Sequence, residues 1–249
     1  MVERTLPFAK YGFICRLESH AVLPFFKGST FRGVFGHALK RVVCALKLKE
    51  CADCILRETC LYSSVFERSG PDSVHPFVIE PPMEGERRFN AGERFDCSLL
   101  LFGEANQRLP YFVYAFEQMG KIGIGGRVNG SRGRFVLEQV QAGGRVLYSE
   151  GTRKLLRTDG VETLYLPNTD RGAKEVRVTL ETPLRLKFEN RLTAELPFHV
   201  LVRAMLRRVS SLFNAFGGGE PELDYKGLVK EAQEVRIKES SLRWYDWER

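Results

Sequence analysis

The chain has 249 residues, enough for one large domain or two of ordinary size, and its 43% apolar and 11% aromatic content excludes wholesale disorder. A net charge of +7 favours a polyanionic partner, with simple solubility charge as the bland alternative. The start MVERTLPFAK lacks the apolar core of a signal peptide, and the longest apolar stretch, LPYFVYAF at 109–116, is too short to span a bilayer, so no membrane association and a cytoplasmic location are expected.

Taken in chain order, residues 8–18 read as a strand in which Tyr11, Phe13, Cys15 and Leu17 alternate with smaller or charged neighbours. Ser29 or Thr30 offers a helix N-cap. Phe31, Val34, Phe35, Ala38, Leu39, Val42, Val43 and Leu46 then repeat at helical spacing along an amphipathic helix. A cysteine-rich excursion occupies 44–62, and PFVIE at 76–80 and RFDCSLLLFG at 94–103 read as two more strands. Pro110 and Gly120 bracket a second helix, apolar on most sides and therefore expected to be buried. A glycine-rich loop at 121–134 leads into the strand RFVLEQV. Strand, helix, strand, strand, helix, strand is the ferredoxin-like order, which makes the expected fold class α+β.

Between 142 and 173 the pattern dissolves into Gly, Thr, Asp and Arg, which reads as a linker after a first domain at 1–141. From 174 to 249 the plan begins again. EVRVTLETPLRL reads as a strand, and a helix opened by Pro197 runs to the glycines at 217–219. This half supplies fewer elements, as an incomplete second ferredoxin-like domain would.

Three segments carry residue types suited to chemistry. The loop KIGIGGRVNGSRGR holds five glycines and four basic residues without an acid. It is neither a Rossmann fingerprint nor a Walker loop. Bare backbone at Gly123, Gly125 and Gly126 can approach a ligand closely, and Lys121, Arg127, Arg132 and Arg134 can make charge-assisted contacts to phosphates. The alternative is a surface loop with solvated arginines.

On the first helix, His37 lies opposite the apolar stripe, with Lys40 and Arg41 at i+3 and i+4. An imidazole able to accept a proton, beside cations able to hold a phosphate, is the equipment for metal-free RNA cleavage by the 2′-OH. An ordinary histidine on a wet helix face reads equally well. His20, His75 and His199 are weaker candidates, though His199 heads a stripe with Arg203 and Arg207 that can line an anion groove.

The third segment spaces Cys44, Cys51, Cys54 and Cys60 as C-x6-C-x2-C-x5-C. Four thiols so close suit a structural zinc in first place and an iron–sulfur cluster in second, with buried or redox thiols as the plain alternative. Elemental analysis of the purified protein is expected to find about one zinc per chain. Cys15 and Cys97, inside strand patterns, read as core. Aromatics beside basic residues recur in LPFFKG and in RWYDW and can stack bases of single-stranded RNA.

In that order, KGSTFRGVFGHALKRVVC, the four-cysteine insertion, PFVIEPP, LLLFGEAN, LPYFVYAFEQMGKIGIGG and GRFVLEQV resemble a branch of the Cas-six family, the CRISPR precursor-RNA processing endoribonucleases of the RAMP superfamily. The final LRWYDWER is similar as well. The resemblance implies tandem ferredoxin-like domains, binding of CRISPR repeat RNA, and metal-independent cleavage to 5′-OH and 2′,3′-cyclic phosphate ends. It makes residues 122–134 an RNA-gripping loop and His37 with Lys40 the counterpart of a catalytic pair, with no counterpart for the tyrosine that completes that pattern in some relatives. A non-catalytic RNA-binding subunit of a CRISPR effector complex is the other function it implies. Family members run on beyond a segment like LRWYDWER, so an exposed sheet edge and self-association are expected of a chain ending at Arg249.

Overall fold

The computed structural model describes residues 4–47, 50–67, 73–83, 85, 87–156, 161–164 and 172–244. Two compact units emerge, one from Leu6–Leu164 and one from Met1–Thr5 with Tyr165–Arg249.

The first unit is built on β1 (Leu6–Leu17), β2 (Ala21–Val22), α1 (Gly28–Val43), α2 (Leu61–Phe66), β3 (Phe77–Glu80), β4 (Arg88–Phe89) and β5 (Arg94–Phe102). After a 3₁₀ turn at Gly103–Arg108 come α3 (Leu109–Ile122), β6 (Ile124–Val128), β7 (Ser131–Gly133), β8 (Phe135–Ala142), β9 (Arg145–Ser149) and β10 (Glu162–Leu164). The main sheet runs β3-β5-β1-β8-β9, and every pairing in it is antiparallel. Its first four strands, joined by α1 and α3, have the order that defines the ferredoxin-like fold, so the expected fold class is the observed one.

Period-two alternation places Ala9, Tyr11, Phe13, Cys15 and Leu17 of β1 on the buried face, where α1 and α3 lie. Phe35 of α1 meets the rings of Phe77, Phe112 and Phe116 at centroid distances of 5.8, 5.9 and 5.1 Å. Cys15 and Cys97 are core residues, as their strand positions suggest. The α3 helix is buried on one side only, because Tyr111 and Tyr114 face outward. The α1 helix begins at Gly28, and its N-cap is Lys27, so neither Ser29 nor Thr30 caps it.

One polar clasp is buried in this core. The Tyr11 hydroxyl donates to Asn106 Oδ1 at 3.1 Å, and Asn106 Nδ2 donates to the carbonyls of Leu101 and Gly103 at 3.3 and 3.0 Å. Burial pushes the Tyr11 hydroxyl up to about 12. Tyr11→Phe leaves the Asn106 oxygen without its donor, so a loss of about 1–2 kcal/mol is expected, read as a lower urea midpoint at unchanged m-value.

The opposite face of the sheet carries paired charges. Glu138 accepts from Arg16 at 2.6 Å and from Arg94 at 2.7 Å, and Lys10 pairs with Glu80 at 2.6 Å. Desolvation pushes the Glu138 carboxyl up, but its hydrogen bonds and ion pairs with Arg16 and Arg94 together outweigh that and hold it below the usual carboxylate range. A depressed carboxylate stabilises the fold above its unfolded pKa, and this contribution is lost as pH falls through the folded value.

The stretch 142–173, expected to be a linker, contributes β9 and β10. The first pairs with β8 and the second with the start of β1, through Leu6↔Leu164. Up to Leu164 the stretch therefore belongs to the first unit, with Gly143 and Gly144 turning the chain between β8 and β9, and the division between the two units falls within it, after Leu164.

The second unit contains α4 (Phe198–Phe216) and α5 (Tyr225–Glu234). The α4 bounds follow Pro197 and the glycines at 217–219. Asp224 caps α5 by accepting from the Gly227 N–H at 2.9 Å. The strand expected at 175–186 does not form among the described residues. Val176, Val178 and Leu180 have the right alternation yet are exposed, because no described strand of this unit lies beside them to accept a ladder.

Candidate nucleic-acid interface

The glycine-rich segment is a β-hairpin. β6 pairs antiparallel with β7 through Ile124↔Gly133 and Val128↔Ser131. Asn129 and Gly130 turn the chain at φ 51° and 84°, the signature of a type I′ turn, whose Asn-Gly signal was present in the sequence. The hairpin sits on β2. A Cβ at Gly125 would lie 2.2 Å from the Val22 carbonyl oxygen, and one at Gly133 would lie 2.3 Å from Ala21 Cβ. Gly123 is buried and ends α3, its N–H reaching the Met119 carbonyl at 2.9 Å, whereas Gly126 is exposed. Gly123, Gly125 and Gly133 thus have a packing use; of the glycines expected to approach a ligand, Gly123 and Gly125 are needed for packing and Gly126 alone is exposed.

Two further bonds fix the far end: the Glu18 N–H donates to the Arg134 carbonyl at 2.8 Å, and the Arg134 N–H to Ser19 Oγ at 2.9 Å. On this base Arg127, Arg132 and Arg134 are exposed, and their side chains make no ion pair or hydrogen bond with the described residues. Lys121 is exposed in the last turn of α3, where a cation also suits the helix dipole.

The three residues singled out on α1 divide between two faces. His37 and Arg41, one turn apart, are exposed and have no hydrogen-bond or ion-pair partner among the described residues. Lys40 faces the insertion: its ammonium lies 5.4 Å from the centre of the Tyr62 ring and hydrogen-bonds the Cys51 thiol, which raises the lysine above its ordinary range. One turn and two turns back, Gly36 packs against Phe66, and the Arg32 guanidinium lies 5.0 Å from the centres of Phe66 and Phe77. Tyr62 and Phe66 stack at 5.4 Å. Arg32, Gly36 and Lys40 therefore form the stripe on which α2 docks. The sequence did not disclose it, because a six-residue helix gives no periodic signal.

Cys44, Cys51, Cys54 and Cys60 are half-buried and unbridged. Among the described residues no three His, Cys, Asp or Glu side chains gather as a metal ion requires, so the four thiols as placed do not fit a tetrahedral zinc or a cluster.

His75 has a structural role, its Nδ1 lying 2.8 Å from the Val65 carbonyl. His20 is exposed and its carbonyl abuts Gly133, so it belongs to the base of the hairpin. His199 and Arg203 both meet the Phe188 ring, at 5.7 and 5.8 Å, and Arg203 and Arg207 are exposed on α4 of the second unit. The end of RWYDW, from 245 onward, lies outside the described residues. No described helix is long and apolar enough to cross a membrane.

Strand order and site together define a ferredoxin-like domain that presents an arginine-bearing hairpin on its β2 strand. The family described as AF_1859_N, N-terminal domain, matches residues 6–160, nearly the whole of the first unit, and the chain belongs to that family. An uncharacterized protein of Archaeoglobus fulgidus is 28% identical over 203 residues, covering 80% of this chain and 66% of the relative, so the chain spans just under two thirds of that protein. Among solved structures, the Csm3-Csm4 subcomplex of the type III-A CRISPR-Cas interference complex aligns at 13% identity with a TM-score of 0.39, over 56% of this chain and 78% of that one.

Proposed function

We infer that this protein binds single-stranded RNA through the β6–β7 hairpin, as an RNA-binding protein of the CRISPR-associated RAMP kind. The observation that carries the reading is the set of exposed arginines, Arg127, Arg132 and Arg134, on a hairpin whose backbone is clamped to β2. Holding three guanidinium groups on a rigid base reduces the ordering cost of each phosphate contact. The paired charges on the open sheet face leave that surface a poorer phosphate site. The RNA class follows from the ordered resemblance to the Cas-six family across residues 10–141, and a CRISPR repeat RNA is the substrate it suggests. Arg127→Gln with Arg132→Gln is expected to lower affinity for a labelled single-stranded RNA about tenfold or more, as loss of two charge-assisted hydrogen bonds implies. Unchanged affinity would remove the hairpin from RNA binding.

Cleavage is the second reading, favoured by His37 and Arg41 being exposed together on α1 with no described partner. On this reading His37 takes the 2′-OH proton while Arg41 offsets charge on the phosphate; the 2′-oxygen bonds to phosphorus as the P–O5′ bond breaks, and the 5′-oxygen leaves with a proton from water, giving 2′,3′-cyclic phosphate and 5′-OH ends. Lys40 contributes by holding the insertion beside this face. If the protein instead holds guide RNA without cutting, the same hairpin contacts serve, and membership of a CRISPR effector complex is the corresponding partner. The four cysteines enter neither reading.

A further inference from the structure

The hairpin stands at one end of a seam between two helices. α1 starts a few residues after β2, α3 runs straight into β6, and the hairpin sits on β2, so α1 and α3 are antiparallel with the hairpin at their shared end. Phe66 of α2 and Phe35 of α1 both meet Phe77 of β3, while α3 lies against β8. The helices α2, α1 and α3 thus lie side by side across the sheet.

Ser29, Gly33, His37 and Arg41 are exposed at every fourth position of α1, which makes one row along the helix. This row stands between the stripe that α2 covers and the buried Val34 and Ala38, so it opens on the α3 side. Across the seam α3 exposes Tyr111, Tyr114 and Lys121. Tyr111 and Tyr114 are 46% and 50% exposed, and neither has a ring, hydrogen-bond or ion-pair partner among the described residues. α1 contains no acid. Glu117, the one acid of α3, turns to the other flank, where the Tyr148 hydroxyl of β9 donates to it.

The register of the two helices follows from their rings. Phe35 packs between Phe112 and Phe116, at 5.9 and 5.1 Å, and is therefore level with residue 114. At about 1.5 Å per residue, His37 lies about 3 Å further along the seam, Tyr111 about 4.5 Å and Arg41 about 9 Å. Lys121 lies about 10 Å in the opposite direction, toward the hairpin. Tyr111 thus falls between His37 and Arg41. Gly33 adds an independent observation: a Cβ there would meet nothing within 4 Å, so packing does not call for a glycine in mid-helix, where alanine is the better residue. Its bare backbone lets a sugar–phosphate chain lie close on α1.

We propose that the α1–α3 seam is a second binding surface for single-stranded RNA, in which the Tyr111 and Tyr114 rings stack bases of a strand that runs from the hairpin past Lys121 to His37 and Arg41. The proposal rests on the RNA-binding reading and adds the path of the strand and the groups that hold its bases. Basic side chains tracking a backbone, with aromatic rings free to stack, are the recurring arrangement for such a ligand. An acid-free surface continuous with the hairpin arginines favours a polyanion over a protein partner.

The test measures binding of two fluorescein-labelled probes to the full chain and its variants: a mixed-sequence single-stranded RNA and an abasic strand of the same length. Tyr111→Ala/Tyr114→Ala is expected to lower affinity for the RNA about tenfold or more and to leave affinity for the abasic strand unchanged. Arg127→Gln/Arg132→Gln is expected to weaken both. Tyr111→Phe/Tyr114→Phe keeps the rings and is expected to keep the affinity, which separates stacking from a change in folding. Gly33→Ala is expected to raise the urea midpoint and yet weaken RNA binding severalfold, a combination that a purely structural role for the seam would not give. If the arginine pair weakens RNA binding and the tyrosine-to-alanine pair does not, or weakens both probes equally, the proposal is overturned and the RNA-binding reading stands. If neither pair changes affinity, both fall.

Discussion

Gly125→Ala is expected to unseat the hairpin and to cost most of the RNA affinity without removing a single charge. Gly125 sits at φ 78°, where an alanine costs about 1–2 kcal/mol from backbone sterics alone. Its new methyl would also lie 2.2 Å from the Val22 carbonyl oxygen and 3.0 Å from Leu23 Cδ2. A backbone oxygen in a strand has nowhere to retreat, so the hairpin must move, and a total loss of about 2–4 kcal/mol is expected. Gly130→Ala supplies the comparison. It has the same kind of positive φ, at 84°, but open space around it, so it should show the conformational cost with the hairpin still docked and RNA affinity nearly intact. Urea unfolding and RNA titration of the two variants check this. Equal RNA affinity in both would mean that docking on β2 is irrelevant to binding.

His37→Ala carries the second large effect. On the cleavage reading, removing a general base should slow cutting of end-labelled repeat RNA in excess EDTA by about 10²–10⁴-fold, with binding changed little. The exposed position of His37 on α1, away from the core, makes a folding artefact a poor explanation for such a loss. Lys40→Ala should behave differently. Its ammonium contacts Tyr62 and Cys51, so its loss should loosen the docking of α2, and Lys40→Arg should largely restore that docking. Cleavage that survives in His37→Ala removes the residue from the mechanism, and a full-length chain that binds without cutting leaves the RNA-holding reading.

What the sequence disclosed followed from how long each pattern persists. β1, β5, β8, α1, α3 and α4 run for eight residues or more, so their apolar period was plain, and with the short apolar run PFVIE that forms β3 the first five of them gave the ferredoxin-like order. Two-residue strands have no period, and β2 and β4 were invisible although they anchor the candidate site. Asn129-Gly130 was a readable hairpin signal that five glycines and four basic residues obscured. At 175–186 the alternation was genuine but could not promise a neighbouring strand, since pairing is a property of two segments. His37 and Lys40, three residues apart, looked like one site. The contact of Lys40 with Tyr62 depends on where the insertion folds back, and helical spacing does not encode that.

The central claim is that the hairpin arginines bind RNA phosphates, and the salt dependence of RNA affinity for the unmodified chain tests it most directly. With Arg127, Arg132 and Arg134 each neutralising one phosphate of a single strand, log affinity should fall against log KCl with a slope of about −2 or steeper. Affinity that does not respond to salt, or no binding at low salt, would contradict it.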